Sequence, residues 1–423
     1  MKFIPYGHQD ITKEDIQEVV KILKSDFITQ GPKIGEFEKE IASFTGAKYS
    51  VVFNSGTAAL HAAYFAYGLG KDNEFITSPM TFAATANAGL YLGARPVFSD
   101  IEMSSGNMDP NLIEKHISKK TRLIVPVHYG GNPVNLGEIS KIAKRHKIGI
   151  IEDACHALGG RYEDTKIGDC KYSEMCAFSF HPVKHITTGE GGAVTTNNKE
   201  YYERLLTFRT HGITKEKLVN SSPGGWYYEM QFLGYNFRIT DIQASLGLSQ
   251  IKRLPKYIKR RREIAKIYDT KFKNNPYFDI QTETKGASGA YHLYPIFLKE
   301  HLKDKKREIF EELRKNGLGV QVHYIPVHFH PYYKSLGYKP GICPVAEDFY
   351  RREISIPMFP TLSDKDVQSV IDTVFKVLAL FSTNKEEEFK AAIALLDTKG
   401  MNFSKNILER ELLKIKDVHH EQE

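Results

Sequence analysis

Cysteine and tryptophan are scarce, with four of the first and one of the second in 423 residues. The cysteines, Cys155, Cys170, Cys176 and Cys343, make no CxxC pair and no regular framework. That spacing excludes a disulfide scaffold, argues against a cysteine metal centre and points to a reducing compartment. No metal is expected. Long apolar runs are also missing: nothing approaches the roughly 20 residues a membrane helix needs. The opening Met1-Lys2-Phe3-Ile4-Pro5-Tyr6 has no apolar core of leader length. A soluble cytoplasmic protein without a membrane partner is expected. Charge of one sign is not concentrated either. The net charge is +7, and the densest basic run is Lys259-Arg260-Arg261-Arg262. It reads as a solvated helix face or a site for one anion, and nucleic acid is not an expected partner.

What is present describes a globular chain. Hydrophobic residues make up 41% and charged residues 26%, the balance of a protein that folds around a core. The length predicts more than one packed unit. Thr12 and Asp15 open a capped helix carrying Ile16, Val19, Val20 and Leu23 at helical spacing. Short β-branched runs then alternate with helices. Strands are expected over 49–53, 74–78, 95–100, 123–127 and 148–152, with a helix over 58–69. That alternation predicts an α/β architecture with a mainly parallel sheet covered on both faces. Past residue 250 the pattern changes to a smaller α+β unit. It has a basic helix over 254–273, strands over 292–298 and 319–323, a helix over 304–316, and a last helix capped by Ser363 and Asp366. The expected division is a large domain over 1–250, a small domain over 251–382 and an appended helical segment over 383–423.

Three strings carry chemistry. Asn54-Ser55-Gly56-Thr57 falls where a strand gives way to a helix, and free N–H groups there bind anions such as phosphate. The same residues also cap helices without any ligand. Glu152-Asp153-Ala154-Cys155-His156 closes a strand at the sheet edge where α/β proteins bind ligands. A buried Asp153 needs a positive partner, for which a protonated ring nitrogen would serve; a plain helix cap is the competing reading. Phe178-Ser179-Phe180-His181-Pro182-Val183-Lys184 runs into Gly189-Glu190-Gly191-Gly192. A lysine between aromatics and a glycine-rich turn is shielded from water, sheds its charge more readily, and can attack an aldehyde.

These strings, with Leu233-Gly234-Tyr235-Asn236-Phe237-Arg238, resemble the DegT/StrS family of sugar aminotransferases. The family belongs to the fold-type I pyridoxal 5′-phosphate enzymes, and the resemblance runs from about Tyr6 to about Phe381. It implies that Lys184 forms the Schiff base and that Asp153 pairs with the pyridinium nitrogen. It implies further that Phe82 stacks on the ring, that His156 lies near the phenolic oxygen, and that Gly56, Thr57 and Ser179 hold the phosphate. Asn236 would reach the cofactor of a neighbouring subunit, so a homodimer with shared active sites is expected. Tyr6, the segment Phe27-Ile28-Thr29-Gln30, and His323-Tyr324 resemble members of the pseudaminic acid pathway, and these residues would bind the substrate. Such members move the amino group of L-glutamate to C4 of a UDP-linked 4-keto-6-deoxy N-acetyl sugar. Other nucleotide-sugar 3- or 4-aminotransferases stay open as readings. A sugar dehydratase is disfavoured because such relatives carry histidine where Lys184 stands. A non-catalytic binding protein would have no use for Lys184, Asp153 and a phosphate cup together.

Overall fold

The computed structural model describes residues 3–381, together with Ile393, Lys405, Asn406, Glu409 and Arg410. The expected helical segment over 383–423 therefore lies almost wholly outside the described residues. The chain opens with α1 (Lys13–Leu23), where Asp15 accepts the Thr12 amide at 2.9 Å but Thr12 Oγ1 makes no return bond, so half of the expected capping box forms, and α2 (Pro32–Thr45) follows.

A seven-stranded sheet then builds the larger part. Its strands are β1 (Tyr49–Phe53), β2 (Glu74–Thr77), β3 (Arg95–Phe98), β4 (Thr121–Val125), β5 (Gly149–Asp153), β6 (Met175–Ser179) and β7 (Gly192–Thr196), in the spatial order β1-β7-β6-β5-β4-β2-β3. β2, β3, β4, β5 and β6 pair in parallel, whereas β7 runs antiparallel to both β1 and β6. All five residues of β5 are buried, as a parallel strand with both faces covered must be. β4 starts two residues before its expected position and stops at Val125, since Pro126 lacks the N–H needed to continue the ladder. β6 and β7 were not foreseen as strands, because their residues read first as chemistry. Of the covering helices, α3 (Gly56–Tyr67) packs through Ala58, Ala59, Ala62, Ala63 and Ala66. Those small side chains let it lie close to the sheet.

The second part has a three-stranded antiparallel sheet of β8 (Phe278–Ile280), β9 (Tyr294–Leu298) and β10 (Glu353–Ile356). The strand expected over 319–323 does not form a ladder. Its amides are divided among three partners: Gly319 donates to Ile4, Gln321 to Ser355, and His323 to the Glu353 carboxylate. A side chain thus takes the place of a backbone partner and ends the pairing.

The helix at 254–272 joins the two parts. Leu254 and Ile258 sit in the core beneath the large sheet, while Ile264, Ala265, Tyr268 and Phe272 sit in the core of the small one. This changes the reading of the basic run. Arg260 pairs with Asp364, but Arg261 is only 1% exposed and donates to the carbonyls of Tyr291, His292 and Met358. Burial lowers its pKa to about 9. Arg261 is a cross-tie between the two parts rather than a solvated charge. Replacing it with Met leaves three carbonyls without their donor. The expected loss is about 2–4 kcal/mol, read as a lower midpoint in thermal or urea unfolding of the purified protein.

Candidate active site

The carboxyl ends of β1, β5 and β6 open onto one cleft of about 470 Å³. It is lined by ten of the residues singled out in the sequence: Tyr6, Gly56, Thr57, Phe82, Asp153, His156, Ser179, Lys184, His323 and Tyr324. The parallel sheet explains the convergence. Asp153 is the last residue of β5, Ser179 the last of β6, and β1 turns at Asn54 into the start of α3.

The turn into α3 is tight. Ser55 accepts a hydrogen bond from the Ala58 amide at 3.1 Å, which leaves the Gly56 and Thr57 region facing the cleft. A Cβ on Gly56 would fall 2.9 Å from Ser179 Cβ, and one on Gly192 would fall 2.5 Å from the Ser55 carbonyl. Only glycine permits these strand ends to come so close. The result is a cup of helix N–H groups with the Ser179 side chain beside it.

Asp153 is buried. Its Oδ2 accepts a 2.6 Å hydrogen bond from Thr85 Oγ1, and its Oδ1 accepts one from the Cys155 amide at 3.1 Å. Lys184 is the one lysine or arginine lining the cleft among the described residues. Among the described residues no hydrogen bond or ion pair holds its ammonium there. Burial lowers its pKa, and the neighbouring Cys155 and Asp153 offset that only in part. Water loss disfavours the charged amine, so more of it is neutral and nucleophilic than for a solvated lysine.

Around the lysine lie neutral imidazoles. Burial, with Lys184 next in effect, holds both His156 and His292 well below the usual histidine range. Their ring centroids are 4.3 Å apart. His156 Nε2 meets the Tyr324 hydroxyl at 2.9 Å, while its buried Nδ1 has no partner. His185, next to the lysine, instead bonds the Ala290 carbonyl at 3.1 Å and stays out of the lining.

The residues fit a phosphorylated aromatic aldehyde. The cup suits the phosphate, the lone His156 Nδ1 is a polar atom in want of a ligand, and the Phe82 ring is 64% exposed at the cleft. Asp153 is an anion suited to a protonated ring nitrogen.

Residues 9–375 match the DegT/DnrJ/EryC1/StrS aminotransferase family. The chain belongs to this family. It is a pyridoxal-phosphate-dependent aminotransferase with the fold-type I architecture. Among curated relatives is the UDP-4-amino-4,6-dideoxy-N-acetyl-beta-L-altrosamine transaminase of Campylobacter jejuni. The two are 41% identical over 89% of this chain and 97% of that one. Among solved structures, Helicobacter pylori PseC, an aminotransferase of pseudoaminic acid biosynthesis, superposes with a TM-score of 0.83 at 37% identity, covering 89% of this chain and 99% of that one. The PLP form of the putative sugar aminotransferase Spr1654 from Streptococcus pneumoniae gives a TM-score of 0.85 at 32% identity, over 90% and 100% of the two chains.

Five anticipated residues do not line this cleft: Phe27, Ile28, Thr29, Gln30 and Asn236. Asp241, at the start of the helix over 241–251, holds the amides of Gly31 and Lys33 and donates its own to Ile28. That fastens the 27–31 segment to the outer surface of the aminotransferase. Asn236 is exposed, its carbonyl 3.4 Å from Asn54 Nδ2. Conversely, Thr85, Cys155, Glu190 and His292 line the cleft without having been singled out for it. Thr85 was detectable. It lies in the first turn of the helix over 84–90, four residues past Thr81 in the preceding turn, and the two hydroxyls meet at 2.7 Å. His292 carries no local signal, since it arrives from the chain just before β9.

Proposed function

We propose that the enzyme moves the amino group of L-glutamate onto C4 of a UDP-linked 4-keto-6-deoxy N-acetyl sugar, as in pseudaminic acid biosynthesis. The observation that carries the reading is a half-buried Lys184, without a hydrogen-bond or ion-pair partner among the described residues, in one cleft with Asp153 and with Tyr6, His323 and Tyr324. The name borne by the Campylobacter jejuni relative supports the sugar.

Bound in the cleft, pyridoxal phosphate supplies an electron sink for the carbanion left when Cα loses its proton, and it carries the amino group between the two substrates. Gly56, Thr57 and Ser179 would hold the phosphate, and Phe82 would pack against the ring. Asp153, fixed by Thr85, keeps the ring nitrogen protonated. Lys184 Nζ takes the Cα proton of glutamate and later delivers a proton to the sugar carbon. His156 offers its free Nδ1 to the phenolic oxygen. Tyr6, His323 and Tyr324 orient the sugar.

The active unit in this reading is a homodimer. Ile16, Leu23, Phe27 and Ile28 are each more than half exposed; a cluster of apolar side chains facing water supports a partner surface. Asn236 and Phe27–Gln30 then complete the cleft of the other subunit. All four cysteines are free, in keeping with a cytoplasmic enzyme.

The test is a panel of UDP- and dTDP-linked 3-keto and 4-keto sugars incubated with L-glutamate and purified enzyme. A new amine at C4 of the UDP-linked 4-keto sugar, located by NMR of the product, is the expected result. Amination only at C3, or only of a dTDP-linked sugar, would overturn the substrate assignment.

A further inference from the structure

β10 carries two different faces. Ile354 and Ile356 point into the small core, while the alternate residues Glu353 and Ser355 form a buried polar face. That polar face lies against His323. Glu353 Oε2 accepts the His323 amide at 2.7 Å, Glu353 Oε1 accepts the Ser355 hydroxyl at 2.5 Å, and Ser355 Oγ is 2.9 Å from His323 Nδ1. The Tyr129 hydroxyl donates to the His323 carbonyl. Backbone and ring of His323 are thus both pinned.

The direction of each bond follows from the donors available. An amide can only donate, so it occupies one carboxylate oxygen as acceptor. Burial raises the Glu353 pKa to about 7, against the pull of the Lys306 ammonium and the Ser355 and His323 donors. Above that pH the carboxylate is ionised and has no proton to give, so Ser355 donates to it. The serine has a single proton, and its oxygen is left to accept from Nδ1–H of His323. Burial lowers the His323 pKa to about 3, so the ring is neutral and carries one proton only. Its Nε2 is then bare, and it bonds no protein group among the described residues. The ring lines the cleft, 5.6 Å from Tyr6.

We propose that Glu353 and Ser355 are positioning residues that hold His323 as its Nδ1–H tautomer, so that Nε2 accepts a hydrogen bond from a hydroxyl of the keto sugar. The two ring nitrogens of a histidine are chemically distinct, and a neighbour that takes one N–H decides what the other can do. This proposal rests on the sugar-aminating reading above for its ligand, but the tautomer itself does not depend on it.

Glu353→Gln reverses the relay. The amide oxygen stays with the His323 N–H, the amide NH₂ donates to Ser355, and Ser355 donates to Nδ1, which leaves Nε2–H facing the cleft. Ser355→Ala removes the relay with little change of shape. Imidazole ¹⁵N spectra of histidine-labelled enzyme, assigned with His323→Gln, read the tautomer directly. With spectra taken above pH 7, where Glu353 is ionised, the expected result is Nδ1–H in the unaltered enzyme, Nε2–H in Glu353→Gln and a mixture in Ser355→Ala. In both variants KM for the keto sugar should rise about tenfold, the effect of one lost hydrogen bond, while reaction with glutamate changes little. Nε2–H in the unaltered enzyme, or variants with unchanged tautomer and KM, would overturn it. If no keto sugar is aminated by the unaltered enzyme, the substrate reading fails, and the ¹⁵N spectra still decide the tautomer.

Discussion

Lys184→Ala is expected to abolish turnover and the visible absorbance of the bound cofactor together. Loss of a positioned acid–base group alone costs about 10²–10⁴-fold, and loss of the covalent link to the aldehyde adds to it. Two measurements check this: glutamate-dependent amine formation, and protein mass after borohydride reduction. In the unaltered enzyme the reduced cofactor should stay attached; in the variant it should not. A fully active Lys184→Ala enzyme would end the account. The lowered pKa of Lys184 adds a pH dependence. Below the depressed pKa the amine is protonated and unreactive; above it the amine is free, at a pH where a solvated lysine is still charged. Cofactor-free protein should therefore bind the aldehyde at a lower pH than a solvated lysine would, and more slowly on acidification. The lysine was picked out by its flanking string. Loss of water around the amine in the cleft, only partly offset by Cys155 and Asp153, is the physical cause of the reactivity, and no string displays that.

Asp153→Asn should cut kcat while leaving the fold intact. Asn has the same shape, and its amide oxygen can still accept from the Cys155 N–H, so a role as a simple turn cap would survive the change. What is lost is the anion opposite the ring nitrogen. Breaking a buried charge pair costs about 3–5 kcal/mol, on the order of 10²–10⁴-fold in rate. Circular dichroism and thermal unfolding should be nearly unchanged, with the loss confined to kcat. An Asp153→Asn enzyme of normal rate would reduce Asp153 to a structural cap, the competing reading of its sequence string.

Much of the site was legible because its parts are contiguous. Asn54–Thr57, Glu152–His156 and Phe178–Lys184 each sit at one strand end, and an α/β alternation brings such ends to a single edge of the sheet. The reading was weaker where contacts cross between chain segments. Arg261 lies in a run of four basic residues, and nothing local separates it from Lys259; its burial depends on helix 254–272 passing between two cores. Glu353 looks like an ordinary strand carboxylate until His323 is packed against it.

The chain's local order decided which groups are available: a lysine beside a glycine-rich turn, a carboxylate at a strand end, hydroxyls at a helix start. These depend on spacing and backbone preference, which neighbouring residues settle among themselves. Tertiary structure decided the state of those groups. Desolvation lowered the Lys184 pKa and kept four imidazoles uncharged, and folding set Ser355 and Glu353 against the His323 ring. Protonation and hydrogen-bond direction follow from burial and from partners distant in the chain, so they exist only once it has folded.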